Sequence, residues 1–134
     1  MTKLRVLMFG LVSAVMLAWA LPAMAHPAKA SAKTVTVTAG SPSEFKFKLS
    51  ATSVPTGAVT FKITDKGALP HTFYVCSSSK GGSANTCAGK GTAQISPGAS
   101  ATLTITFKTA GSYEYLCTVP GHAAAGMKGD LKVT

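Results

Sequence analysis

Apolar and polar residues alternate along most of this chain. Thr34-Val35-Thr36-Val37-Thr38 places valine on one side of an extended backbone and threonine on the other. A period of two is the mark of a strand with one buried face. The same alternation runs from Glu44 to Leu49, where Phe45, Phe47 and Leu49 would face a core and Lys46 and Lys48 would face water. It recurs at Val59–Thr64, at Leu103–Phe107, at Tyr113–Cys117 and at Asp130–Thr134, and Phe73 and Val75 mark a further strand. Pro55-Thr56-Gly57, Asp65-Lys66-Gly67, Pro97-Gly98 and Ala110-Gly111 separate these runs as turns. No long helical period follows the N-terminal segment. Short strands punctuated by glycine and proline predict an all-β sandwich or barrel. Residues 77–94 break the pattern: glycine, serine, alanine and lysine dominate, and the stretch reads as a loop insertion.

The first 25 residues read as a targeting segment rather than as part of the fold. Lys3 and Arg5 form a positive start, an apolar run from Val6 to Leu21 follows, and Ala23-Met24-Ala25 is a small-residue cleavage site. That run is short of the ~20 apolar residues a membrane span needs. The division is therefore a signal peptide over 1–25, a flexible lead over 26–33 and one folded domain over 34–134. The domain is expected in the periplasm or outside the cell, with no stable membrane insertion once the leader is removed. An oxidising compartment allows disulfides. Of the three cysteines, Cys76 and Cys87 flank a polar loop with no histidine beside them, so they are expected to pair and leave Cys117 as a free thiol. The competing pairings would consume Cys117.

Charge narrows the functional classes. Lys and Arg number 13 against 4 acids, a formal net charge of +9. Arg5 is the only arginine and leaves with the signal segment, so the folded domain has only lysine. Nucleic-acid recognition leans on planar, bidentate arginine, so no nucleic-acid partner is expected. Gly89-Lys90 is not a phosphate loop, because Ala84 and Gly91 stand where glycine and Ser/Thr are required. With Glu44, Asp65, Glu114 and Asp130 as the acids, no hydrolytic triad can be assembled, and the protein is not expected to be an enzyme.

The remaining chemistry lies in Cys117-Thr118-Val119-Pro120-Gly121-His122-Ala123-Ala124-Ala125-Gly126-Met127. A thiol, an imidazole and a thioether share this short stretch, and Leu69-Pro70-His71-Thr72-Phe73 supplies a second imidazole upstream. Two imidazoles, a thiolate and a weak thioether suit copper in a His₂Cys plane with a long axial Met. Structural zinc wants four strong ligands, and thioether is a poor one. The order His71, then Cys117-x₄-His122-x₄-Met127, resembles the cupredoxins, the type 1 blue-copper proteins of the plastocyanin, azurin and auracyanin kind. The resemblance rests on specific motifs from Val59 to Thr134 and on strand pattern alone before that. It implies a Greek-key β-sandwich with one type 1 copper at one end, held by His71, Cys117, His122 and an axial Met127. It also implies a role for the residue after the first histidine. Many cupredoxins have Asn there; here Thr72 would tie the two ligand loops together.

Three functions fit copper ligands. The resemblance implies a one-electron carrier. A periplasmic copper-binding or delivery protein is the alternative, although such carriers tend to expose Met- or His-rich sites and only three histidines occur here. An oxidase would want a cysteine flanked by histidines, where this chain has Leu116-Cys117-Thr118, and His26 alone cannot build a second copper site. An electron carrier would exchange through an apolar patch around His122, expected to comprise Val119, Pro120, Gly121, Ala123, Ala124 and Ala125 with Leu69 and Pro70. Its lysines, Lys128 among them, would steer a redox protein with an acidic face, either a cytochrome or an oxidase/reductase domain. The carrier is expected to be a monomer.

Overall fold

Valines and threonines that alternate in the sequence separate onto two faces in the computed structural model, which describes residues 33–77 and 88–134. The signal segment, His26, most of the lead and Cys87 lie outside the described residues. Among the described residues nine strands form: β1 (Lys33–Ala39), β2 (Phe47–Leu49), β3 (Ser53–Val54), β4 (Gly57–Asp65), β5 (Tyr74–Cys76), β6 (Gly89–Gly91), β7 (Ser100–Phe107), β8 (Gly111–Leu116) and β9 (Lys128–Val133). They make a four-stranded sheet, β2-β1-β4-β7, and a five-stranded sheet, β3-β9-β8-β5-β6. The all-β sandwich expected from the period of two is thus the fold observed.

The first sheet shows why the pattern works. Val35 and Val37 of β1 and Val59, Phe61 and Ile63 of β4 are buried. Their neighbours Thr34, Thr36, Lys62, Thr102, Thr104 and Thr106 face water. On that outer face Thr60 and Thr104 hydroxyls meet at 3.0 Å, and Thr64 and Ser100 hydroxyls at 2.9 Å, as cross-strand pairs. The second sheet supplies Val75, Tyr113, Tyr115, Leu131 and Val133 to the same core, joined by Phe73 just before β5. At the entrance to β8 the Tyr113 hydroxyl donates to the Thr109 carbonyl at 2.8 Å, a tyrosine corner that fixes the strand's start.

Three departures from the sequence reading bear on function. The alternation from Glu44 to Leu49 is a strand only over Phe47–Leu49. Before it the backbone turns, with the Lys46 N–H donating to Ser43 at 3.1 Å and the Gly40 N–H to Lys46 at 3.0 Å. Gly89–Gly91, within the stretch read as a loop, is a strand because its backbone pairs with β5, where side-chain pattern has no say. Finally, β8 is buried on both faces. Tyr113 and Tyr115 enter the main core, while Leu116 packs against Cys76 and Ala123 on the other side. Cys76 is disulfide-bonded and Cys117 is free.

Candidate metal centre

Two segments converge at one end of the sandwich. The first follows β4. His71 sits between β4 and β5, and its backbone makes a two-way bridge with Ile95, His71 N–H to Ile95 O at 3.0 Å and Ile95 N–H to His71 O at 2.8 Å. The second continues β8. Cys117 lies one residue past the strand, and the chain from there to Met127 folds back on itself. The Cys117 N–H donates to Met127 O at 3.0 Å, the Met127 N–H to His122 O at 3.0 Å, and the His122 N–H to Val119 O at 3.1 Å. Gly121 and Gly126, at φ of 84° and 102°, take the left-handed backbone that these reversals require.

Both segments stand on an aromatic floor. The Phe73 ring lies 5.3 Å from Phe47, 5.3 Å from Phe61 and 5.6 Å from Tyr115, in edge-on or tilted contact. Phe73 is two residues from His71 and Tyr115 two from Cys117, so the packed rings fix both ligand segments to the core.

The structure brings His71, Cys117 and His122 together. One nitrogen of each imidazole and the Cys117 sulfur all lie within 4.8 Å of one another. His71 Nδ1 and His122 Nδ1 are 3.1 Å apart, and Cys117 Sγ is 3.5 Å from His122 Nδ1. Metal bonds of about 2.0–2.3 Å to imidazole nitrogen and thiolate span separations of this size. Met127 is fully buried and shares an apolar cluster with Cys117 and Ala39. Two imidazoles, a free thiol and a buried thioether, walled by apolar side chains, fit copper. Burial and the neighbouring His71 push the His122 imidazole below its ordinary pKa, so it stays neutral at neutral pH with a lone pair to give.

Thr72 ties the two segments. Its N–H points at Cys117 Sγ at 3.4 Å and its hydroxyl lies 3.7 Å from the same sulfur. That hydroxyl accepts the Thr118 N–H at 2.8 Å and meets the Thr118 hydroxyl at 2.9 Å. Two further residues at the site had no signal in the sequence. Phe45 places its ring edge-on to His122 at 5.0 Å. Glu44 lies 3.0 Å from His71 Nε2.

The surface above the site differs from the patch expected: Val119 and Pro70 are only partly exposed and Ala123 is buried. Pro120, Gly121, Ala124 and Ala125 are exposed, as is Leu69 at 43%. Ala123 is not part of it; it is buried because the loop folds over the outer face of β8, where Ala123 meets Leu116 and Cys76. His122 retains 7% exposure beneath the patch. Lys128 is partly neutralised by Glu114 at 3.8 Å, whereas Lys46 reaches over the loop to the Gly126 carbonyl at 3.3 Å. No helix among the described residues is long and apolar enough to cross a membrane.

Comparison with known proteins agrees with this geometry. The profile of the family described as copper binding proteins, plastocyanin/azurin family, matches residues 33–134. Auracyanin-B of Chloroflexus aurantiacus is 49% identical over 43 residues, which are 32% of this chain and 18% of that protein's length. Among solved structures, auracyanin B superposes with a TM-score of 0.61 at 27% identity, covering 77% of this chain and 89% of the other. Rusticyanin from Thiobacillus ferrooxidans superposes with a TM-score of 0.60 at 27% identity, covering 78% and 79%. The dithionite-reduced auracyanin of Roseiflexus castenholzii shares the fold, with a TM-score of 0.61 at 23% identity over 78% of this chain and 98% of that one.

Proposed function

Because this chain belongs to the plastocyanin/azurin family of copper-binding proteins, we propose that it is a one-electron carrier. One copper ion would be held by His71, Cys117 and His122, with the buried Met127 thioether as a weak further donor. Bound there, copper supplies a one-electron redox couple. The observation that carries this reading is the convergence of two imidazoles and a free thiol within 4.8 Å in a buried pocket.

The chain's own residues supply what electron transfer needs. The Thr72–Thr118 hydrogen bonds, the His71–Ile95 bridge and the Cys117–Met127 closure hold the donors in place, so little must move when the charge changes. Fixed donors in an apolar enclosure keep reorganisation small and exclude water. His122 stands nearest the exposed small-residue patch, through which a partner's cofactor can approach. That patch is too small for tight binding and suits brief contact by a monomer.

Orientation then falls to charge. Lysines outnumber acids, and the partner is a redox protein with an acidic face, a cytochrome or an oxidase/reductase domain. The protein is exported to the periplasm or beyond. The leader read from the sequence supports this, as does a disulfide-bonded Cys76, which suits an oxidising compartment. Neither an enzymatic nor a nucleic-acid role is part of this reading.

Two measurements test it together. Copper-loaded protein should exchange electrons rapidly with a cytochrome and give up copper slowly to a chelator. Rapid copper loss with sluggish electron exchange would instead mark a copper-delivery protein. With an acidic partner, the rate should fall as salt is added, since the Debye length is about 8 Å at physiological ionic strength. Lys46→Glu should slow it more than Lys128→Glu, because Glu114 already shields Lys128. A rate indifferent to salt and to both substitutions would remove the electrostatic part.

A further inference from the structure

Glu44 is one of 4 acids in the chain, and the turn before β2 aims its carboxylate at the back of a metal ligand. Its Oε1 accepts the Leu69 N–H at 2.9 Å and lies 3.0 Å from His71 Nε2; its Oε2 accepts the Ala68 N–H at 2.9 Å. Two backbone amides donate to this carboxyl, one to each oxygen, an arrangement that suits the ionised form a glutamate ordinarily has at neutral pH. An ionised carboxylate only accepts hydrogen bonds. The proton of the His71 ring therefore sits on Nε2, which leaves Nδ1 as a lone pair facing His122 and Cys117. Gly67 gives independent support. A Cβ there would stand 2.5 Å from Glu44 Oε1 and 2.8 Å from His71 Nε2, so the chain has kept this corner free of any side chain.

We propose that Glu44 is a positioning residue of the copper centre: it fixes the His71 tautomer and sets a negative charge one imidazole away from the metal, lowering the reduction potential. The physical reason is general. A carboxylate behind a ligating histidine orients the ring and makes it a stronger donor. A fixed negative charge also stabilises Cu(II) more than Cu(I), because the oxidised ion carries the larger charge. This inference rests on the copper assignment of the preceding subsection.

Glu44→Gln is the primary probe, because it keeps an oxygen for His71 and Leu69 while removing the charge. Such partners of metal ligands change metal affinity by about 10-fold or more. A tenfold change confined to Cu(II) raises the potential by ~59 mV. Gly67→Ala leaves the carboxylate in the chain but drives it off His71, and should shift the potential in the same direction. In copper-free protein, nitrogen chemical shifts of His71 should report the Nε2–H tautomer in wild type and a mixture in Glu44→Ala. If Glu44 only pins the loop, its variants would speed hydrogen exchange at Ala68 and Leu69 and leave the potential where it was. An unchanged potential in Glu44→Gln and Gly67→Ala, with the Cys117-dependent visible band intact, would overturn the inference and spare the copper assignment. Absence of that band in wild type and variants alike would overturn both.

Discussion

Thr72→Val isolates the tie between the two ligand segments. Valine has nearly the shape of threonine, so the packing is kept and the hydroxyl alone is lost. That hydroxyl accepts the Thr118 N–H at 2.8 Å and has the Thr118 hydroxyl at 2.9 Å, 46 residues away in sequence. Without it the Thr118 amide has no acceptor. A buried donor left unpaired costs about 1–3 kcal/mol. Thr118 is half-buried, so water reaches part of the deficit and the lower half of that range applies. For a domain of about 100 residues, each kcal/mol moves Tm by roughly 4–8 °C. Thermal unfolding of the copper-free protein should therefore show Tm lowered by roughly 4–15 °C. Thr118→Ala is the control. It removes the second hydroxyl but keeps the N–H and its acceptor, and should cost only about 0.5–1.5 kcal/mol. The Thr72 N–H still faces Cys117 Sγ at 3.4 Å in the valine variant, so the visible colour of the copper form should persist. Thr72→Val no less stable than wild type, or less damaging than Thr118→Ala, would refute the tie.

Leu116→Ala should cost about 2–5 kcal/mol in chemical denaturation, since the side chain is fully buried against Cys76 and Ala123; a loss below about 1 kcal/mol would mean the outer face of β8 is not packed. Burial, and then Asp130, raise the Tyr115 phenol above its ordinary pKa. The folded state thus prefers the protonated ring, and the stability this confers is present below about pH 10 and falls as pH rises above it. Denaturation curves from pH 9 to 11 should show that decline, and Tyr115→Phe should flatten it. Met127→Leu should keep the colour and raise the potential, because a weak donor to Cu(II) is lost; a lower potential would argue against an axial Met127.

Legibility in the sequence followed range. Val35, Val37, Phe61 and Ile63 were readable because strand burial repeats every second residue, and the turns carry glycine or proline. His71, Cys117 and His122 were readable because imidazole and thiol are rare here and their order is specific. Glu44 was not. It lies 27 residues from His71 and reaches it only because the chain turns at Ser43–Phe45, where the alternation of side chains runs on while the strand has not begun. Thr118 reaches Thr72 across the β5–β8 pairing, which no local pattern announces. Strand β3 has two residues held by parallel pairing to β9, and β6 is mostly glycine, so neither has side chains enough to show a period. Ala123 looked like a surface residue because the fold-back that buries it depends on Leu116, a partner from the preceding strand.

His71, Cys117 and His122 are placed to hold one copper ion, with the Cys117 thiolate bonded to it. The visible absorption spectrum of the protein loaded with one equivalent of Cu(II) tests it most directly. Copper bonded to the Cys117 thiolate should give an intense blue or green band that vanishes on reduction and is absent from Cys117→Ser, while that variant keeps the β-sheet signature in circular dichroism. A weak, pale spectrum in the wild type, or an intense band that survives in folded Cys117→Ser, would contradict it.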